Sequence, residues 1–375
     1  MIRENCEICS SKALVPFYTL KNMPCRLGVS SSIHSYEFND LIYAECVVCK
    51  NVQILDLPSR EKVYESNHNI NIVGETWQRH HREFAEYIAN FLKQPSNVLE
   101  IGDPEEKTAK WFEEETNLIS WDILEPMPSG LPKSKKVSYK KGFLDGGTDF
   151  ETNYHIVVLS HVFEHILDLK STIQNIYKVL LPGGIVAISV PNMEEILKKR
   201  SLPPASLSFE HTVYLDENKI TALFEREGLE LTNVKYYRDH SIFISFSKKS
   251  ATTSANTIRN QPLKERMLAI FKEKEENVKR YVDYIETHFD AQIFIYGAHI
   301  QAQIFQVLGL SNNIYGTLDN SKDKQGNYLY GTELMTYPVE IIATLEKPIV
   351  ICDMGVYNAE IKEQLVSLNK KVVIL

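Results

Sequence analysis

Between His155 and Pro191 the chain passes through strand, loop, helix, turn and strand, and this order restricts the fold more than any other feature. His155-Ile-Val-Val-Leu-Ser160 is short, apolar and β-branched, the pattern of a strand covered on both faces. From Asp168 to Leu181 the apolar residues recur at helical intervals, and Pro182-Gly183-Gly184 predicts the end of that helix. Ile185–Val190 then resumes a buried strand. Two covered strands joined through a helix run parallel, so an α/β sheet is expected. The loop His161-Val-Phe-Glu-His-Ile-Leu-Asp168 leaves the first strand at its carboxyl end, where open α/β sheets hold their ligands.

The same alternation extends from about residue 76 to 250. A helix near Trp77–Leu92 precedes the strand Asn97–Ile101, and further strands are predicted near Leu118–Ile123 and Ser241–Ser247. Residues 1–75 read differently: they are loop-rich and carry most of the cysteines. Ser250 to Thr257 is small and polar and reads as a linker, followed by a Lys/Glu-rich helix to about residue 290. Residues 291–375 restart a strand–helix–strand pattern. A length of 375 residues accommodates these several units.

Four of the six cysteines fall in two C-x2-C pairs, Cys6/Cys9 and Cys46/Cys49. In a reducing compartment that spacing points to a metal, and four thiolates satisfy the tetrahedral preference of zinc with no open position. A structural zinc held by Cys6, Cys9, Cys46 and Cys49 is therefore expected. The chain has no signal-peptide pattern and no long apolar run, so a cytoplasmic protein without membrane contact is expected. A net charge of −8 weighs against broad binding of nucleic acid.

The Glu164-His165-x-x-Asp168 loop followed by Pro182-Gly183-Gly184 resembles the SAM-dependent class I methyltransferases. In those proteins the first strand ends in a glycine-rich turn, and an acid at the end of the next strand receives the ribose hydroxyls of S-adenosyl-L-methionine (SAM). Val98-Leu-Glu-Ile-Gly102 fits the strand, which places Glu100, Gly102 and Asp103 at the cofactor. The turn Asp103-Pro-Glu-Glu-Lys107 lacks the second glycine and adds carboxylates, which a cationic sulfonium tolerates and a phosphate does not. The ribose acid is either Asp122 or Glu125. Ser160 and His161 are expected to line the same pocket.

Taken whole, the chain resembles the sugar C-methyltransferases of deoxysugar biosynthesis, which join a four-cysteine module, a SAM-binding middle and a Rossmann-like end. The matching residues are the four cysteines, His165, Phe209-Glu-His-Thr-Val-Tyr214, Tyr296-Gly-Ala298 and Lys324-Gln-Gly-Asn-Tyr-Leu-Tyr-Gly331. The resemblance implies methylation of a nucleotide-linked ketosugar, a small-molecule partner, at the carbon beside its carbonyl. It further implies His211 as the base, Glu210 as its neighbour and His165 as donor to the enolate oxygen. Two positions depart from the pattern: Ser208 stands where the family has a tyrosine, and Asn67–Val73 replaces an aromatic-and-serine segment. O-methylation of a related sugar therefore stays open, as does a zinc-bearing binding module without SAM activity. The C-terminal region is expected to close over the acceptor; Asp319 stands either where a ribose-binding acid belongs or as the cap of a turn.

Overall fold

The computed structural model describes residues 1–34, 36–63, 75–144, 153–199, 207–248, 258–259, 261–288, 291–310 and 313–375. The departing segment Asn67–Val73 and the linker before residue 258 lie outside the described residues. The chain opens with β1 (Leu14–Pro24), β2 (Val29–Ser30), β3 (Phe38–Cys46) and β4 (Val52–Ile54), of which β1, β3 and β4 form an antiparallel sheet. The two cysteine pairs sit in turns of matching geometry. Ser10 N donates to Cys6 O and Lys50 N to Cys46 O, both at 2.8 Å, and Ser10 and Lys50 take positive φ of 59° and 57°. Each turn thereby aims its two thiols to one side.

The middle sheet contains β5 (Ser96–Ile101), β6 (Leu118–Leu124), β7 (Val137–Lys140), β8 (Tyr154–Ser160), β9 (Leu180–Pro191), β10 (Leu229–Tyr237) and β11 (Ser241–Lys248). Its order is β10-β11-β9-β8-β5-β6-β7, with β5 to β9 mutually parallel and β11 antiparallel to both neighbours. The order reverses between β5 and β8, so the crevice beyond their carboxyl ends is the natural ligand position. Helix Glu75–Ala89 covers one face, packing Phe84 and Ile88 with Val98, Trp121 and Phe243. Helices Leu169–Val179 and Glu217–Arg226 cover the other through Ile173, Ile176 and Phe224. Each such side chain, fully buried, contributes about 1.5–3 kcal/mol.

The crossover helix starts where Asp168 accepts from Ser171 N at 2.9 Å, and it ends at Val179. Pro182-Gly183-Gly184 lies inside β9, not at the helix end. Tyr154 pairs with Leu180 and Ile156 with Ile185, so residues 181–184 form an irregularity the register must step over.

After helix Leu263–Glu286 come β12 (Ile293–Tyr296), β13 (Ile314–Leu318), β14 (Tyr328–Leu329), β15 (Thr336–Tyr337), β16 (Ile349–Ile351) and β17 (Val373–Ile374). The parallel sheet runs β15-β13-β12-β16-β17, while β14 pairs with β2 of the N-terminal region. The long helix carries a solvated charged face as expected, except for Lys274, which is buried and paired with Asp353.

The cysteine turns do not pack apart from the middle sheet. Cys6, Ile8, Cys46 and Cys49 share one core cluster with Leu159, Phe163, Ile188 and Phe224. β4 also exchanges hydrogen bonds with the strand-like segment 212–214: Ile54 N donates to Thr212 O at 2.8 Å and Tyr214 N to Val52 O at 2.9 Å. Among the described residues no helix is long and apolar enough to cross a membrane.

Candidate active site

Gly102 ends β5 with φ of 75°, and its N–H donates to Leu124 O at 2.9 Å. A Cβ there would meet Val162 Cγ2 at 2.6 Å, so a side chain is excluded both by backbone and by space. Gly102→Ala is expected to cost about 1–3 kcal/mol and to weaken SAM binding more than Tm, as measured by titration calorimetry and thermal melts.

The carboxylates of the following turn hold the turn itself. Buried Asp103 accepts from Glu105 N and Thr108 N, both at 3.1 Å. Glu106 takes the left-handed conformation, with φ of 59°, that the missing glycine would have supplied, and its Oε1 accepts from Lys133 N at 2.8 Å. Glu105 pairs with Lys107 at 3.3 Å. Loss of glycine is thus offset by internal capping, and burial raises the Asp103 carboxyl above its ordinary range.

Glu100 lies beneath this turn, fully buried, with Oε2 accepting from Trp121 Nε1 at 2.8 Å. Burial, with Asp103 nearby, holds its carboxyl well above the usual value. It supports the loop from below and has no solvent-facing atom to offer a ligand. The two ribose candidates separate clearly in space. Asp122 is engaged by Ser138 Oγ and Tyr154 OH, each at 2.6 Å, and by Lys140 at 3.5 Å. Glu125 stands at the crevice near Asp103 and Lys107, accepts from Met127 N at 2.9 Å, and is raised by burial.

At the end of β8 the Ser160 hydroxyl is buried with no hydrogen-bond partner among the described residues. His161 follows with φ of 53°, its ring between Glu164 (Nδ1 to Oε1, 3.1 Å) and Ser241 (Nε2 to Oγ, 2.8 Å). Burial keeps His161 well below its ordinary pKa, hence neutral. Trp77 meets the His161 and His240 rings edge-on at 4.8 and 4.6 Å, and His80 Nε2 lies 2.8 Å from Ser189 Oγ. The Trp-x-x-His spacing put Trp77 and His80 on one helix face. No motif marked His240-Ser241, which only the β10–β11 hairpin brings here.

His165 and His211 come together, Nε2 to Nε2, at 3.1 Å. A Glu164 carboxylate oxygen and one ring nitrogen of each histidine lie within 4.8 Å of one another. Burial pushes Glu164 up to about 7, partly opposed by His211. Glu210 is buried beside His211. Ser208 fastens this turn: its Oγ accepts from Glu210 N at 3.2 Å and from His211 N at 3.4 Å, and its N–H donates to His211 O at 2.9 Å. Arg3, buried, ties the two histidine-bearing segments together, donating to Thr212 O at 3.3 Å and Leu167 O at 2.9 Å.

The four thiols of Cys6, Cys9, Cys46 and Cys49 also converge. Cys6 and Cys49, like Cys9 and Cys46, have sulfurs 3.5 Å apart, and all four sulfurs lie within 4.8 Å. Zinc–thiolate bonds of about 2.3 Å in a tetrahedron require sulfurs about 3.8 Å apart, so the donor set fits that ion.

The C-terminal crevice is filled by protein. The Asp319 carboxylate accepts from Ala298 N at 3.0 Å and Ser321 N at 2.9 Å and pairs with Lys324 at 3.0 Å. A Cβ on Gly297 would meet His299 Nε2 at 2.6 Å and Met354 Sδ at 2.8 Å. Asp319 therefore acts as a turn cap, the second of its two expected roles, and the space over Gly297 holds side chains.

Residues 75–234 match the family model described as a methyltransferase domain. The middle region of the chain is accordingly a methyltransferase domain, and the protein an enzyme of that class. Similar solved structures include the 1,6-didemethyltoxoflavin-N1-methyltransferase of Burkholderia thailandensis, at 15% identity and TM-score 0.41, covering 54% of this chain and 98% of that one. The N-methyltransferase NodS of Bradyrhizobium japonicum is similar at 14% identity and TM-score 0.36, covering 49% and 93%. Curated proteins give no sequence match to this chain.

Proposed function

We propose that this methyltransferase acts on a nucleotide-activated ketosugar and methylates the carbon beside the carbonyl. The observation that carries this reading is the meeting of His165 and His211 at 3.1 Å, next to buried Glu164 and Glu210, beyond the carboxyl end of β8. Removing a proton α to a carbonyl requires a base that is neutral near pH 7 and a donor for the developing oxyanion, and a pair of imidazoles serves both needs. His211 takes the proton, with Glu210 at its side. His165 donates to the enolate oxygen.

The residues that would hold SAM are the Gly102 backbone, Glu125 for the ribose, and Ser160 and His161 in the lining of the pocket; SAM would supply an electrophilic methyl group when bound. Fixing donor and acceptor in this crevice provides most of the remaining rate enhancement. Glu125→Ala is expected to weaken SAM binding about tenfold or more, whereas Asp122→Asn leaves it within about threefold, both read by calorimetry. Equal effects of the two would remove Glu125 as the ribose acid. We assign the four-thiolate site to a zinc ion that stabilises the fold and takes no part in the chemistry.

Nucleoside-diphosphate ketosugars incubated with the enzyme in D2O without SAM provide the decisive test. Exchange of one α-proton, lost in His211→Ala, is the expected outcome. A second reading, O-methylation of a related sugar, is favoured by Ser208 at the family's tyrosine position, because no phenol then faces the acceptor. Under that reading methyl transfer proceeds with no exchange at carbon.

A further inference from the structure

Every methyl transfer to a C–H or O–H group releases one proton per turnover, and the mouth of the crevice is occupied by donor and acceptor at that moment. Behind the two histidines runs a file of side chains to which the proton transfer above assigns no part. Glu164 Oε1 is 3.1 Å from His161 Nδ1, His161 Nε2 is 2.8 Å from Ser241 Oγ, and Ser241 Oγ is 2.6 Å from His240 Nδ1. The inner end faces His211, a ring nitrogen of which lies within 4.8 Å of a Glu164 carboxylate oxygen, a span that a single water is the right size to fill. The outer end, His240, is part-exposed beneath the edge of Trp77.

A serine, a histidine and a glutamate in this sequence also describe a nucleophilic triad. Ser241 has no accessible surface, so it cannot meet a substrate, and that role is excluded. What remains is conduction: from Glu164 to His240 the separations are 3.1, 2.8 and 2.6 Å, the last two hydrogen bonds and the first a contact that a small ring rotation turns into one, and each protonated group can donate and accept. Both Glu164 oxygens are buried without a hydrogen-bond partner among the described residues, close to His161 on one side and to the histidine pair on the other.

We propose that Glu164, His161, Ser241 and His240 form a proton-exit path that returns His211 to its basic form. This rests on His211 being the base. The acceptor–H bond breaks and its proton passes to His211, the acceptor–methyl bond forms, and the sulfur keeps the electron pair of the broken S–CH3 bond. His211 then protonates the Glu164 carboxylate. Glu164 gives its proton to His161 Nδ1, His161 passes the Nε2 proton to Ser241, and Ser241 passes its own to His240 Nδ1. His240 releases a proton from Nε2 to water. A carboxyl whose burial places it near 7 accepts and releases a proton at neutral pH, consistent with this position in the file.

The test uses the full chain with SAM and the ketosugar acceptor, comparing the wild type with Ser241→Ala and His240→Phe in H2O and D2O. Both variants are expected to lose about tenfold in kcat, less than the 10²–10⁴ of a direct proton-transfer group, and to show a larger solvent isotope effect. SAM affinity stays unchanged in both, and Tm stays unchanged in His240→Phe. His240→Phe keeps a ring against Trp77 and gives the same reading should Ser241→Ala lower Tm. A folded variant with wild-type kcat and wild-type isotope effect overturns the path. A wild-type rate that survives His211→Ala overturns the base assignment instead, so the two failures are distinguishable.

Discussion

His211→Ala abolishes turnover while SAM affinity remains within about threefold; this is the largest expected effect of any single substitution in the crevice. Direct general-base groups contribute about 10²–10⁴ in rate, and under the proposed mechanism the His165 imidazole is engaged at the oxyanion and does not replace the lost base. The proposed cofactor residues Gly102, Glu125 and Ser160 stand at the carboxyl ends of β5, β6 and β8, whereas His211 lies in a separate turn. That turn is held by backbone and Ser208 contacts, not by the imidazole. Binding and chemistry therefore separate in this variant. The measurements are SAH formation under single-turnover conditions and calorimetric SAM binding. Unimpaired turnover would remove His211 from the mechanism; loss of binding in proportion to rate would show that it seats the cofactor.

The parallel sheet was readable because its strands are covered on both faces, so their apolar runs stand out against the flanking turns, as at Ile156–Leu159. The convergence of the four cysteines was equally legible, since C-x2-C spacing sets ligand geometry locally. The Asp103–Lys107 turn was harder to read. A glycine-poor, acid-rich stretch suggests charges aimed at the ligand, yet the structure turns Asp103 and Glu106 onto backbone amides, and nothing local announces that choice. Asp122 and Glu125 were likewise equivalent by spacing. What separates them is Ser138 and Tyr154, from two other strands, closing on Asp122. Pro182-Gly183-Gly184 reads as a helix stop, but pairing of β9 with β8 reaches back to Leu180 and draws the turn into the strand. The Ser241 and His240 side chains belong to a hairpin about 80 residues from His161, a separation that no periodicity bridges.

Cys46→Ser, or stripping the metal with a strong chelator, is expected to unfold far more than the first module. A structural zinc site of this kind contributes about 10–16 kcal/mol of apparent folding free energy, as much as the entire stability of a typical domain. With zinc bound in this chain, that energy would not be confined to residues 1–75. Cys6, Cys46 and Cys49 lie in the core that includes β8, β9 and helix Glu217–Arg226, and β4 hydrogen-bonds the segment that carries His211 onward to Tyr214. Arg226 Nη1 donates to Ile8 O at 2.7 Å, and Arg3, just ahead of the first cysteine turn, bonds both histidine-bearing segments. Metal loss should therefore lower Tm in one cooperative step and remove SAM binding together with turnover. Cys352→Ser, in the loop after β16, leaves metal content at one zinc per chain. Elemental analysis, circular dichroism and calorimetry on the same samples check this. A metal-free protein that keeps its Tm and still binds SAM would make the four thiols ordinary core residues. A protein that keeps Tm but loses turnover alone would instead place the ion in the chemistry, which its four-sulfur shell with no open position argues against.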